Sequence, residues 1–312
     1  MKTFQRVATP LLLSFALLNA ANATIIYDDG GTHDVDTTVN ESIQVNSDST
    51  LNVLTGASIG EDLGNDVSID LNGKGFLNIS GGSVTEGVST DSTSVTTVTG
   101  GTIGGDLTIA GGSTFTLDGG TVTGGATVTE ATFLYIDSGS IAGDISANDS
   151  AEITMTGGSI ANLSATVGAT FTISGGSVTG TSISMDEDAK ASIYGGTINT
   201  GLSLDTTEEG VIDVYGYDFF VNDNPVVYDG TSGSYSTYSI SDTSGILSGK
   251  LMDGSTIDLI FTRTAGSGGS GTIKLFYAIP EPASAMLMLC GAMLLVTRRR
   301  RPAATNGLTP AR

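Results

Sequence analysis

Gly119-Gly120-Thr121-Val122, Ser138-Gly139-Ser140-Ile141 and Gly157-Gly158-Ser159-Ile160 are three successive copies of one four-residue marker. The pattern recurs upstream at Gly81-Gly82-Ser83-Val84 and Gly100-Gly101-Thr102-Ile103. It recurs downstream at Gly175-Gly176-Ser177-Val178 and Gly195-Gly196-Thr197-Ile198. The second residues of these seven markers are all glycine, spaced 19, 19, 19, 19, 18 and 20 residues apart. A fixed period near 20 residues is the signature of a solenoid.

Between markers, apolar and polar residues alternate, as at Phe115, Leu117 and Val122 or at Phe171, Ile173 and Val178, with a second pair such as Ile183 and Met185. Period-two alternation marks strands buried on one face. The expected fold is therefore all-β: a right-handed parallel β-helix with two or three short strands per coil of about 19 residues, each strand paired with its counterpart one coil on. At about 4.8 Å per coil, seven or eight coils would make a rod of roughly 35–40 Å. Glycine suits the corners because a positive φ costs it nothing. A lone coil buries too few side chains to offset its lost backbone entropy, so stacking is obligatory. Stacking predicts columns of like residues: Leu77, Phe115, Leu134, Ile153 and Phe171 in one, and Val84, Ile103, Val122, Ile141, Ile160, Val178 and Ile198 in another.

Composition agrees with strands and turns. The chain has 44 Gly, no Trp and 39% hydrophobic residues, the rest of its polarity coming mostly from Thr, Ser, Asp and Asn. Between Thr24 and Pro280 only Lys74, Lys190, Lys250, Arg263 and Lys274 are basic, against 32 acids, a net charge of −27. Such a surface lacks the clustered Lys and Arg that nucleic acid requires; cations, polar glycans and water suit it better. The one cysteine, Cys290, lies in a C-terminal apolar run, so no disulfide staples the body.

Both ends carry addresses. Lys2 and Arg6, then the apolar run Leu11 to Leu18, then Ala21-Asn22-Ala23, form a secretory signal with cleavage expected after Ala23. At the other end Pro280-Glu281-Pro282 precedes an apolar run from Ala285 to Val296, followed by Arg298, Arg299, Arg300 and Arg301. Arginines after an apolar run stop export and stay cytoplasmic. Fourteen residues from Ala283 to Val296 fall short of the ~20 of a spanning helix, so composition alone leaves a buried helix as an alternative to a short transmembrane helix.

The order of these tail elements resembles the PEP-CTERM sorting signal of Gram-negative bacteria that make exopolysaccharide. Pro280, Glu281 and Pro282 match its motif, Ala285 to Val296 its hydrophobic stretch and Arg298 to Arg301 its basic end. The apolar stretch is shorter, and the tail after the arginines longer, than is usual in that family. The resemblance covers about the last 30 residues. It implies an inner-membrane exosortase as partner, transient membrane anchoring and delivery to the cell surface or beyond. Leu247-Ser248-Gly249-Lys250-Leu251-Met252-Asp253-Gly254 is similar to a segment often met just ahead of such tails.

The domain plan is then a signal peptide (1–23), an N-terminal cap with a first coil around Gly56-Ala57-Ser58-Ile59 (24–70) and solenoid repeats (71–216). A C-terminal β cap (217–279) with strands such as Thr256 to Thr262 and Thr272 to Tyr277, interrupted by the linker Ala265 to Gly271, leads to the sorting signal with its transmembrane segment (280–301) and a cytoplasmic tail (302–312).

Chemistry is sparse. No Lys, Arg or His occurs from Gly75 to Ala189, which deprives a polyuronate lyase of its cation and base. The sole histidine, His33, reads as a surface residue of the cap. Asp106, Asp118, Asp137, Asp144, Asp149 and Glu152 fall near expected corners, where a carboxylate pair could serve a glycoside hydrolase; turn-forming Asp is the plainer reading. Glu61-Asp62, Asp186-Glu187-Asp188 and the stretch from Asp223 to Asp229 are candidate calcium ligands, though no EF-hand loop or GGxGxDxUx repeat is present. The expected function is that of a structural or adhesive surface protein associated with exopolysaccharide, with no catalysis, no catalytic residue and no cofactor beyond that calcium option; the alternative is a polysaccharide-active β-helix enzyme.

Overall fold

The computed structural model describes residues 24–60, 67–228, 236–265 and 271–277. The signal residues Ala21 and Ala23, Glu61-Asp62, Pro280 to Pro282, the apolar run with its transmembrane expectation, and Arg298 to Arg301 lie outside the described residues. The described residues contain strands and no helix. They wind into an all-β solenoid of the right-handed type with about 10 turns roughly 19 residues apart.

Each of the first nine coils contributes to three parallel ladders, Thr114–Val122 and Phe133–Ile141 each running through two of them. The seventh coil is representative: Ile145–Ala147, Glu152–Met155 and Ser159–Ile160 pair in register with their counterparts in the coils on either side. The parallel ladders begin at Thr24–Tyr27, Thr32–Val35 and Thr38–Val39, so the stack has more than the seven or eight coils expected. The first two lack the Gly-Gly marker, their third strands being reached through Asp36-Thr37 and Gly56-Ala57, so the coil around Gly56-Ala57-Ser58-Ile59 expected to be the first is the second, and the one before it left no motif.

Both expected columns exist. Val84, Ile103, Val122, Ile141, Ile160, Val178 and Ile198 are consecutive register partners, all buried. In the other column Leu77 is followed by Thr96 before Phe115, Leu134, Ile153 and Phe171. Thr96 is fully buried, and its hydroxyl has no hydrogen-bond partner. A polar residue at a core position left the fourth coil out of this column as read from the sequence, although its marker and Ile103 placed it in the other.

After the tenth coil the ladders continue after an excursion. Thr256–Arg263 adds in parallel to Ser203–Thr206, and Thr272–Tyr277 adds in parallel to the start of Val211–Val221. Two antiparallel strands then flank these additions, Ser244–Leu251 beside Thr256–Arg263 and Ser236–Ser239 beside Thr272–Tyr277.

Candidate binding surface

Because side chains alternate along a strand, each ladder that fills the core also presents outward columns. On the third ladder the outward column from Thr38 through Ser83, Thr121 and Ser159 to Thr197 carries Ser or Thr in all nine coils, in unbroken register. On the first ladder Ser89, Thr108, Thr127, Ser146, Ser164 and Ser184 form a second such column. The second ladder differs. Its outward positions begin with an amide ladder, in which Asn52 Nδ2 donates to Asp34 at 2.7 Å and Asn78 Nδ2 donates to Asn52 at 2.9 Å. They then carry Phe76, Val95, Phe133 and Tyr135 beside Thr97, Thr114 and Thr116.

The acids singled out in the sequence are distributed over corners and one face. Asp118 and Asp137 sit at the Gly-Gly corner of adjacent coils, accepting hydrogen bonds from Ser138 Oγ at 3.3 Å and Thr156 Oγ1 at 2.7 Å. Asp106 and Asp144 stand at the corner leading to the next coil, Asp106 accepting from the Gly125 amide at 2.7 Å and Asp144 from Asn162 Nδ2 at 2.8 Å. Asp149 occupies the remaining corner with φ of 52°, and Glu152 lies exposed on the second ladder. Each corner carboxylate in these two pairs therefore links its coil to the following one, which is structural chemistry. Among the described residues no group of three or more His, Cys, Asp or Glu could hold a metal ion. At the acidic corner Asp186 accepts the Glu187 amide at 2.9 Å, and Glu187 and Asp188 both have positive φ, a turn role for that cluster.

His33 is not simply a surface residue. It is the register partner of Leu51, at the head of the column that continues through Leu77, and it stacks on Tyr27 with ring centroids 3.9 Å apart. Its Nε2 lies 2.9 Å from Asp29, whose carboxyl is held below the usual range by that hydrogen bond and by the Gly31 amide. The stacked pair lies within the first coil, partly exposed at the start of the stack.

The segment Leu247 to Gly254 forms most of the strand Ser244–Leu251 and the turn after it. At its tip Asp253 accepts the Gly196 amide at 2.7 Å and the Ser255 amide at 2.9 Å, while the Met252 amide donates to Tyr194 at 3.0 Å. Burial pushes the Asp253 carboxyl up, but the hydrogen bonds from Gly196 and Ser255 outweigh it and leave it below the usual carboxylate range. The last Gly-Gly corner is thus closed by a carboxylate. Nothing local in the sequence tied Asp253 to Gly196, 57 residues away.

An open cleft lies on the first ladder among Thr24, Ser42, Gln44, Val67, Asp70 and Ser89, where a bulge between Gly87 and Val88 shifts the register. Neither the cleft nor the in-register hydroxyl columns were singled out residue by residue in the sequence. The signal for the columns was present in the third residue of every marker, which is always Ser or Thr. No family model, curated protein or solved structure matches the chain. The geometry defines a class by fold alone: a parallel β-solenoid with hydroxyl-lined faces.

Proposed function

We propose that the chain is an exported structural or adhesive protein of the cell surface or extracellular matrix, associated with exopolysaccharide and acting by binding without catalysis. The observation that carries this reading is the column of nine Ser and Thr hydroxyls in register along the third ladder. Hydroxyls repeated at about 4.8 Å offer a polyhydroxylated polymer a periodic set of hydrogen bonds. Each contact contributes only ~0.5–1.5 kcal/mol, and repetition along one polymer multiplies them. The acidic body resists self-association.

Export rests on the signal ending at Ala23 and on the tail. Ala285 to Val296 serves as a short transmembrane helix held by Arg298 to Arg301, and an exosortase acts on the tail near Pro280-Glu281-Pro282, releasing the body to the surface. Residues 217–279 act as the cap that blunts the strand edges of the stack. No cofactor is required, and melting should be insensitive to calcium chelation.

Mass spectrometry of the mature termini from an exosortase-bearing, exopolysaccharide-producing host, combined with fractionation of the matrix, tests the reading. A start at Thr24, loss of the arginines and co-fractionation with the polysaccharide are expected. An intact tail on a cytoplasmic protein would contradict it, and release of sugars from the polymer would favour a hydrolase instead.

A further inference from the structure

Outward positions on the first and third ladders are small hydroxyls through the middle of the stack, and on the second ladder they change character. Phe76 and Val95 are register partners, 37% and 38% exposed; Val95 pairs with Thr114, and Thr114 with Phe133. Tyr135 is 37% exposed, two positions beyond Phe133 on the same face of the same strand. The Phe133 and Tyr135 rings are nearly parallel, 5° between planes with centroids 6.4 Å apart. Alternation alone would place polar side chains here, as it does at Thr114 and Thr116 one coil earlier. Single exposed apolar residues are unremarkable, but two apolar pairs on one face, Phe76 with Val95 and Phe133 with Tyr135, separated by Thr114 and rimmed by polar groups, mark an interaction surface.

We infer that this face is the contact site for an extended neutral polysaccharide lying along the ladder, its sugar rings setting their C–H faces on Phe76, Val95, Phe133 and Tyr135. Thr114 stands between Val95 and Phe133 in register, and Thr97 and Thr116 lead to Tyr135 in the neighbouring column; these hydroxyls supply hydrogen bonds to ring hydroxyls. Aromatic rings flanked by polar tips are suited to such mixed surfaces. Charge selects the partner. No Lys, Arg or His lies between Gly75 and Ala189, and Glu152 adjoins Phe133 in the column, so an anionic polymer or a second acidic copy of this chain is repelled. The inference rests on the glycan association proposed above and assigns it a place and a substrate class.

The test is co-sedimentation of the full-length chain with an insoluble neutral glucan and with an anionic uronate polymer. It compares wild type with the Phe133→Thr/Tyr135→Thr double variant and with Thr102→Val/Thr121→Val on the third ladder. The first pair recreates the Thr114 and Thr116 pattern of the preceding coil, so folding is retained and checked by thermal melting. Retention on the neutral glycan about tenfold weaker for the aromatic variant, with the third-ladder variant weakened by a clearly smaller factor, is the expected result. Equal retention of wild type and the aromatic variant, preference for the anionic polymer, or loss confined to the third-ladder variant would overturn the assignment while leaving glycan association standing. Loss of a dimer in the aromatic variant would instead make the patch a self-association surface. Failure of the wild type to bind any glycan would sink the association itself.

Discussion

Two corners of each coil solve the same problem in different ways. At the marker corner the second glycine has positive φ, and at Gly139 (φ 80°) an added Cβ would also stand 2.7 Å from the carbonyl oxygens of Gly119 and Gly120 in the preceding coil. Conformation and space both demand glycine there, and Ser138 shows that the first position of the pair is less constrained. At the corner between the first and second ladders, pairs such as Asp149-Ser150, Glu130-Ala131 and Glu187-Asp188 have positive φ without glycine. A left-handed non-glycine residue costs ~1–2 kcal/mol. Here the turn closes internally, Ala151 N donating to Asn148 at 3.1 Å, and stacks on its neighbour, Ala131 N donating to Asp149 at 3.0 Å and Gly168 N to Glu187 at 3.0 Å. Side chains point away from the stack at this corner and into it at the other. A repeat can therefore vary freely where the corner is roomy and must keep glycine where coils touch.

The largest effect should come from the column both corners hold in register. Ile141→Asp places a charge where Ile141 is 1% exposed, and loss of cooperative melting is expected. Next, the same residue in both corners separates their demands. Gly139→Asn should lower stability by about 2–4 kcal/mol, from overpacking and strain, read as a fall in the denaturation midpoint. Asp253→Asn should lose about 1 kcal/mol, discounted for solvent screening. Because the folded Asp253 carboxyl lies below its ordinary value, its contribution is present above about pH 4 and fades as pH falls through the folded value. The gap between variant and wild type should close in acid. Val167→Asn, at an exposed β-branched residue with φ of 49°, should raise stability by up to about 1 kcal/mol, since Asn tolerates that conformation. Opposite signs for Asn at 139 and 167 would sharpen the contrast between the corners, and matching signs would break it.

The glycine markers made the stacking period and the column from Val84 to Ile198 legible, because a steric requirement repeats in the letters themselves. The stack's other small-residue requirement was not legible. Ser49, Ser94, Ser113, Thr132, Ala151, Ala169 and Ala189 are all buried at the start of the second ladder, each two positions before a core residue of that ladder, yet Ser, Thr and Ala fill the site equally well and leave no motif. The first coil escaped because its marker corner, Asp36-Thr37, holds no glycine, whereas the second keeps one at Gly56 and was legible. Of the candidate surface, the hydroxyl columns follow from the marker once the register is known. The aromatic patch needed the register itself, since Phe76 and Phe133 are far apart in sequence and three coils apart in the stack.

Register is thus the claim on which fold and surface both depend, and cysteine pairing reads it directly. In a Cys290→Ser background, Ser140→Cys with Ser159→Cys joins register partners on adjacent coils, about 4.8 Å apart and within disulfide reach. Ser140→Cys with Ser177→Cys lies two coils apart, about 9.6 Å and beyond the ~7 Å limit. Rapid oxidation of the first pair and none of the second is predicted; equal or reversed cross-linking would contradict the stacked-coil account.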